Sequence, residues 1–253
     1  MPTIRANGLD IGYEVLGEGP PLVILHGAGT TARYTFAAQL PSLTSTFRVF
    51  LPDARGHGAT RWDTRDGYEA GWLVEDLAAF ADALALPTFH LLAYSMGAMT
   101  ALGYAAAEPE RLRTLVVVGI ATAREPGASV VARLLDPARI EREEPVWAAD
   151  LERELGPVQG RGAWRQLLQA IARDVATQPL LTPADLRRID APTLVACGDR
   201  DPFVPVGQAW ALTRALPDGR LLIAPECGHE VMTERPEIFA AALDDFYREE
   251  AAR

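Results

Sequence analysis

What most constrains this chain is the alternation of short, unbroken apolar runs with segments of helical spacing. Pro21-Leu22-Val23-Ile24-Leu25 is apolar throughout, as a strand covered on both faces must be. Further runs lie at 47–51, 89–94, 115–118, 192–197 and 220–224. Helical patterns fall between them, at 33–43, at 68–86 with Leu73, Leu77, Phe80 and Leu84 in step, from Ser95 to about 107, at 206–216 and at 235–250. Residues 3–16 read as a hairpin turning at Asn7-Gly8. The pattern predicts an α/β fold: a doubly wound, mostly parallel sheet with helices on both faces. Ligand sites in such sheets lie at the carboxyl ends of the strands.

The alternation stops between 122 and 189. That stretch is charged and helical in pattern, for example over 143–155 and 163–177, and offers no convincing strand. It predicts a small helical cap at 122–189, inserted after the strand at 115–119 into a core of 1–121 and 190–253.

At 253 residues and 49% hydrophobic, the chain can bury a substantial core. Its net charge of −10 and lack of any basic run argue against nucleic-acid and membrane partners. No apolar run approaches the ~20 residues of a membrane span. Met1-Pro2-Thr3-Ile4-Arg5 has no apolar core of a secretory leader, so a cytoplasmic protein is expected, as monomer or homodimer. All 24 basic residues are arginine, which excludes Ser–Lys, Schiff-base and P-loop lysine chemistry. Cys197 and Cys227 form neither a disulfide framework nor a metal spacing, and no cofactor or metal is expected.

The chemistry centres on Ser95, in Ala93-Tyr94-Ser95-Met96-Gly97. An apolar run ends at this serine, small residues stand at −2 and +2, and a helical pattern begins at once. A sharp strand–turn–helix corner needs that arrangement, because bulky neighbours would clash with the strained serine. An ordinary serine N-cap has the same local signature, so the rest of the chain must decide. A serine alcohol needs a base, and the base needs an orienting carboxylate. Of the four histidines, His90 lies inside a strand run, His26 in the first loop, and His57 in a glycine-rich turn where it could line a pocket. His229, directly after the last strand, follows both Ser95 and a candidate acid, and is assigned as the base. The acid comes from the loop Gly198-Asp199-Arg200-Asp201-Pro202, where Asp199 and Asp201 compete. The strand at 115–119 offers no carboxylate until Glu125. Two backbone N–H groups must receive the oxyanion: that of Met96, and one from the loop His26-Gly27-Ala28-Gly29.

Taken together these pieces resemble the α/β-hydrolase superfamily over essentially the whole chain. The matching motifs are His-Gly-x-Gly at 26–29, Asp-x-Arg-Gly-His-Gly at 53–58, Ala-x-Ser-x-Gly at 93–97, Gly-Asp-x-Asp at 198–201 and Gly-His at 228–229. The chain looks like the small cap-bearing serine esterases, lactonases and C–C bond hydrolases. The resemblance implies Asp201 as the triad acid and Ala28 as the oxyanion donor of the first loop. It departs at Ala93, where glycine is usual. A serine nucleophile disfavours haloalkane dehalogenation and epoxide hydrolysis, which in similar proteins use an aspartate there.

The expected activity is hydrolysis of a small, fairly apolar carboxylic ester through an acyl-serine. Lactone hydrolysis, C–C cleavage and perhydrolysis are the alternatives on the same residues, with a non-catalytic receptor behind them. Candidate pocket residues are His26 and Gly27, Trp147, Trp164 and Leu168 of the cap segment, and Phe203 and Met232 beside the acid and base loops.

Overall fold

In a computed structural model of the protein, residues 1–120, 122–123 and 130–251 are described. The expected start of the cap adjoins residue 121 and residues 124–129, Glu125 among them, which lie outside the described residues. Eight strands form one sheet: β1 (Thr3–Ala6), β2 (Leu9–Leu16), β3 (Pro21–Leu25), β4 (Arg48–Pro52), β5 (Phe89–Tyr94), β6 (Leu112–Val118), β7 (Thr193–Gly198) and β8 (Gly219–Ala224). Their spatial order is β1-β2-β4-β3-β5-β6-β7-β8. β2 pairs antiparallel with β1 and β4, and every other pairing is parallel. Asn7 (φ 45°) and Gly8 (φ 75°) make the first turn with the paired positive φ of a two-residue hairpin.

Alternate residues of the central strands feed two separate cores. Val23, Leu91, Ala93, Leu115, Val117 and Val195 face one side, where Leu77, Phe80, Ala101, Leu102 and Leu212 of the helices Ala70–Ala83, Met96–Ala107 and Val206–Ala215 cover them. Leu22, Ile24, Leu92, Val116, Val118 and Leu194 face the other, covered by Leu40, Leu43, Phe239 and Leu243. This period-2 division explains why the sequence runs are apolar at every position.

The helix expected over 33–43 is instead two short pieces, Ala32–Thr35 and Leu40–Thr44. Pro41 is the reason: its ring would strike the carbonyl four residues back in a continuous helix, but it is tolerated in a first turn. Between β6 and β7 the described residues hold helices only, at Val130–Leu134, Pro137–Glu143, Pro145–Gln159, Ala163–Thr177 and Pro183–Leu186. Leu135, Ile140, Leu151, Leu155, Trp164, Leu167, Leu168 and Ile171 give this segment its own apolar cluster, against which Ala28, Ala54 and Met96 pack from the strand ends. Polar ties fasten it to the sheet side. Asp174 Oδ1 accepts the Ala70 N–H at 3.0 Å, capping a helix that lacks a cap of its own. Gln159 donates to Thr60 O at 2.9 Å and accepts from the Trp62 N–H at 3.2 Å.

Candidate active site

Ser95 joins the end of β5 to the helix Met96–Ala107 with φ 52° and ψ −113°, a conformation that costs a non-glycine residue about 1–3 kcal/mol. The surroundings hold it there. Its N–H donates to Val118 O at 2.8 Å, and the Gly97 N–H donates to His26 O at 3.1 Å. A Cβ on Gly97 would come within 2.6 Å of that same His26 oxygen, so the +2 position must be glycine. Ala93 is fully buried with its methyl in the core, so smallness suffices at −2.

Three polar side chains from separate strand ends meet here. His229 Nε2 lies 3.0 Å from Ser95 Oγ, and His229 Nδ1 lies 2.7 Å from Asp201 Oδ2. A carboxylate only accepts, so Nδ1 carries the ring proton and Nε2 is free to accept from the serine. The Asp201 side chain is wholly buried, and its Oδ1 accepts the N–H groups of Phe203 (2.7 Å) and Val204 (3.1 Å). Asp199 does different work. It is exposed, and its Oδ1 accepts the Cys227 N–H at 3.0 Å, clasping the loop after β7 to the loop after β8. Hydrogen bonds from the backbone at Cys227 and then Glu226 hold its carboxyl below the usual range.

The imidazole of His229 is boxed in. Phe203 lies with its ring centroid 4.4 Å away and Tyr94 5.1 Å away. On a third side stands Gly119 (φ 64°), where a Cβ would be 2.7 Å from His229 Cε1. Gly119 is not among the candidate site residues of the sequence, although a glycine directly after an apolar strand is a visible signal.

The Met96 N–H opens its helix, and the first N–H groups of a helix have no partner within it. Among the described residues neither it nor the Ala28 N–H donates a hydrogen bond. Gly29 is different, since its N–H donates to His57 Nε2 at 3.0 Å. Gly27 fits because a Cβ there would lie 2.7 Å from the Tyr94 ring. His26 and His57 are buried neighbours with ring centroids 4.8 Å apart. Burial lowers His26 to about 4, and burial followed by the nearby His26 lowers His57 to about 3, so both are neutral at neutral pH. Beside them Arg55 makes a buried two-point pair with Asp76 (2.8 and 2.7 Å), with its guanidinium over Trp62 and Trp72.

The candidate pocket residues divide. Phe203 stands against His229, and fully buried Leu168 lies over Gly29 together with Leu151. Trp147 is half-buried at the edge of the helical cluster. Trp164 is buried inside that cluster, with Nε1 donating to Glu152 Oε2 at 3.1 Å. Met232 does not reach the site. It lies on the one-turn helix Val231–Glu234 and is buried in the core on the far face of the sheet, with its carbonyl accepting from Gln39. The Tyr68 hydroxyl reaches the Met96 thioether at 3.2 Å, and an apolar cavity lined by Leu25, Leu73, Leu77, Phe80 and Met96 lies behind it. Among the described residues no group of three or more His, Cys, Asp or Glu side chains is placed to hold a metal ion. No described helix is long and apolar enough to cross a membrane.

A buried carboxylate, an imidazole and a serine hydroxyl in hydrogen-bonded series can activate an alcohol oxygen. Residues 22–242 match the model of the alpha/beta hydrolase family. The chain belongs to that family. It is 29% identical to a 2-hydroxy-6-oxononadienedioate/2-hydroxy-6-oxononatrienedioate hydrolase of Pseudomonas putida, covering 96% of this chain and 94% of that protein. It is 28% identical to a pimeloyl-[acyl-carrier protein] methyl ester esterase of Aeromonas hydrophila subsp. hydrophila, covering 94% and 99%. The fold also matches the enol-lactonase from Burkholderia xenovorans LB400 with a TM-score of 0.77, at 22% identity and covering 98% of this chain and 100% of that one.

Proposed function

We propose that the protein is a serine hydrolase of small, fairly apolar carboxylic esters, working through an acyl-serine. The observation that carries this reading is the series Asp201–His229–Ser95, with steps of 2.7 and 3.0 Å. His229 Nε2 takes the proton as Ser95 Oγ attacks the ester carbonyl, and Asp201 stabilises the imidazolium that forms. The carbonyl oxygen, now negative, receives the N–H groups of Ala28 and Met96. His229 then protonates the departing alcohol. In the second half it takes a proton from water, which attacks the acyl carbon and returns the serine. The segment 122–189 acts as a cap that selects the substrate, with Leu168 and Phe203 beside the reacting centre. The product chemistry needs no cofactor or metal.

The Pseudomonas putida relative, named for action on dienedioates, favours C–C bond hydrolysis as a second reading on the same residues. One experiment separates these. Wild type is offered p-nitrophenyl acetate, butyrate and octanoate, a small lactone and a 2-hydroxy-6-oxo-dienoate, alongside Ser95→Ala. Fast turnover of the short esters, lost in S95A together with fluorophosphonate labelling, supports the proposal. Turnover of the dienoate alone selects the second reading, and an unlabelled, inert wild type overturns both.

A further inference from the structure

The turn Gly27-Ala28-Gly29 presents two consecutive peptide planes, and each is gripped by a different buried histidine. The first plane joins Gly27 to Ala28. Its carbonyl oxygen, Gly27 O, lies 2.7 Å from His26 Nδ1. His26 Nε2 accepts the Ala54 N–H at 3.0 Å, so the ring proton sits on Nδ1 and donates to Gly27 O. In a trans peptide the N–H points away from the C=O. Holding Gly27 O therefore aims the Ala28 N–H to the opposite side. The second plane joins Ala28 to Gly29, and its N–H donates to His57 Nε2 at 3.0 Å. His57 has its own proton on Nδ1, donating to Arg55 O at 3.1 Å. Both rings are thus fixed in one tautomer by the loop 54–57, and they lean on each other.

We propose that His26 and His57 form a positioning clamp: they orient the two peptide planes of the 27–29 turn so that the Ala28 N–H faces the oxyanion while the Gly29 N–H is held away from it. This rests on the reading of Ser95 as the nucleophile. The clamp needs neutral rings, because a second ring proton would set a donor against each backbone N–H. Burial keeps both rings neutral at neutral pH. The turn has few other restraints of this kind. Gly29 is in the left-handed region (φ 73°), and among the described residues a Cβ added there would meet only the apolar ends of Leu151 and Leu168.

The test pairs apolar with acceptor- or donor-keeping replacements. His57→Leu and His26→Leu remove the grips. His57→Gln keeps an acceptor near Nε2, and His26→Asn keeps a donor near Nδ1. With p-nitrophenyl butyrate the Leu variants are expected to lose about 10–100-fold in kcat, up to the cost of one oxyanion donor, with KM within about threefold. Fluorophosphonate labelling of Ser95 should slow in the same proportion. H57Q and H26N should stay within about fivefold of wild type. Folded Leu variants with wild-type kcat overturn the clamp, as does equal loss in the Leu and conservative variants, or an effect confined to KM. If the Leu variants do not fold, His57→Asn decides, since its amide is one methylene too short for Gly29. H57N as active as H57Q overturns the proposal. An inert wild type that takes no label points instead to failure of the hydrolase reading itself.

Discussion

Gly119→Ala should damage catalysis more than stability, and the structure says by how much. The added Cβ would sit 2.7 Å from His229 Cε1 and 3.0 Å from Nδ1. Ordinary carbon contacts begin near ~3.5 Å, so the ring must retreat by roughly 0.8 Å. Phe203 and Tyr94 flank the imidazole and limit sideways escape. A retreat of that size takes the 3.0 Å Nε2–Oγ contact out of hydrogen-bond range. Misplacement on this scale costs about 10²-fold in rate, or about 2.7 kcal/mol of barrier. The positive φ of 64° adds its own penalty, ~1–2 kcal/mol of stability, or about 2–8 °C in Tm for a chain of this size. Gly8→Ala separates the two effects. Gly8 has a similar φ of 75° and nothing within 4 Å of a new Cβ. It should lose comparable Tm and keep wild-type kcat. Steady-state kinetics on p-nitrophenyl butyrate with thermal unfolding of both variants is the assay. G119A with full kcat would refute the reasoning, whatever its Tm.

Other perturbations follow from the same geometry. Asp201→Asn should lower kcat by about 10⁴, because an amide can present its N–H to Nδ1 and favour the wrong tautomer. Asp199→Asn keeps an acceptor for Cys227 and should leave kcat within about threefold, and reversal of that ranking would transfer the acid's role to Asp199. Acid should destabilise the fold through His26 and His57. Unfolded, they take protons below about pH 6.5, but folded only near 4 and 3, so stability is lost as pH falls through that interval. Asp53, raised to about 6 by burial, acts in the opposite sense and offsets part of the loss. Tm should therefore fall from pH 7 to pH 4, less steeply in H57Q, which has one fewer group to charge. An unchanged slope in H57Q would show that His57 is not buried neutral.

Much of this was legible in the chain because the signals are local. The central strands announce themselves by apolar residues at every position, since each face of the sheet has its own helices. Asn7-Gly8 specifies a hairpin by φ preference alone. Ser95, His229 and the 199–201 loop are readable because each follows an apolar run at the same end of the sheet. What was not legible depends on contacts between distant segments. Asp199 and Asp201 are alike in sequence, and only the fold decides that one meets the Cys227 N–H and the other His229. Met232 follows the His229 loop closely, yet the short helix at Val231 turns it into the opposite core. Trp164 looked like a roof because aromatic residues at helical spacing fit a lid and a lid's own core equally well. The break at Pro41 is the exception, a local signal that apolar spacing outweighed.

The sequence predicts a core of 1–121 and 190–253 and an insertion at 122–189, and among the described residues the packing crosses that division. Leu151 and Leu168 of the insertion close over Gly29, while His57 holds the same residue from below. Leu167 comes within reach of Gly56 in the loop that presents His57. Tyr68 and Met96 meet beside the same apolar cluster. Gly29 is therefore pressed between Leu151 and Leu168 on one side and His57 on the other. A change of cap that alters the volume at Leu151 or Leu168 must be absorbed by the 27–29 turn or by the cap helices. Because interiors are close-packed, even one methylene is felt there. On the proposed reading, substrate choice and oxyanion stabilisation are coupled through Gly29, and volume changes at Leu151 or Leu168 should alter kcat on p-nitrophenyl butyrate as well as KM.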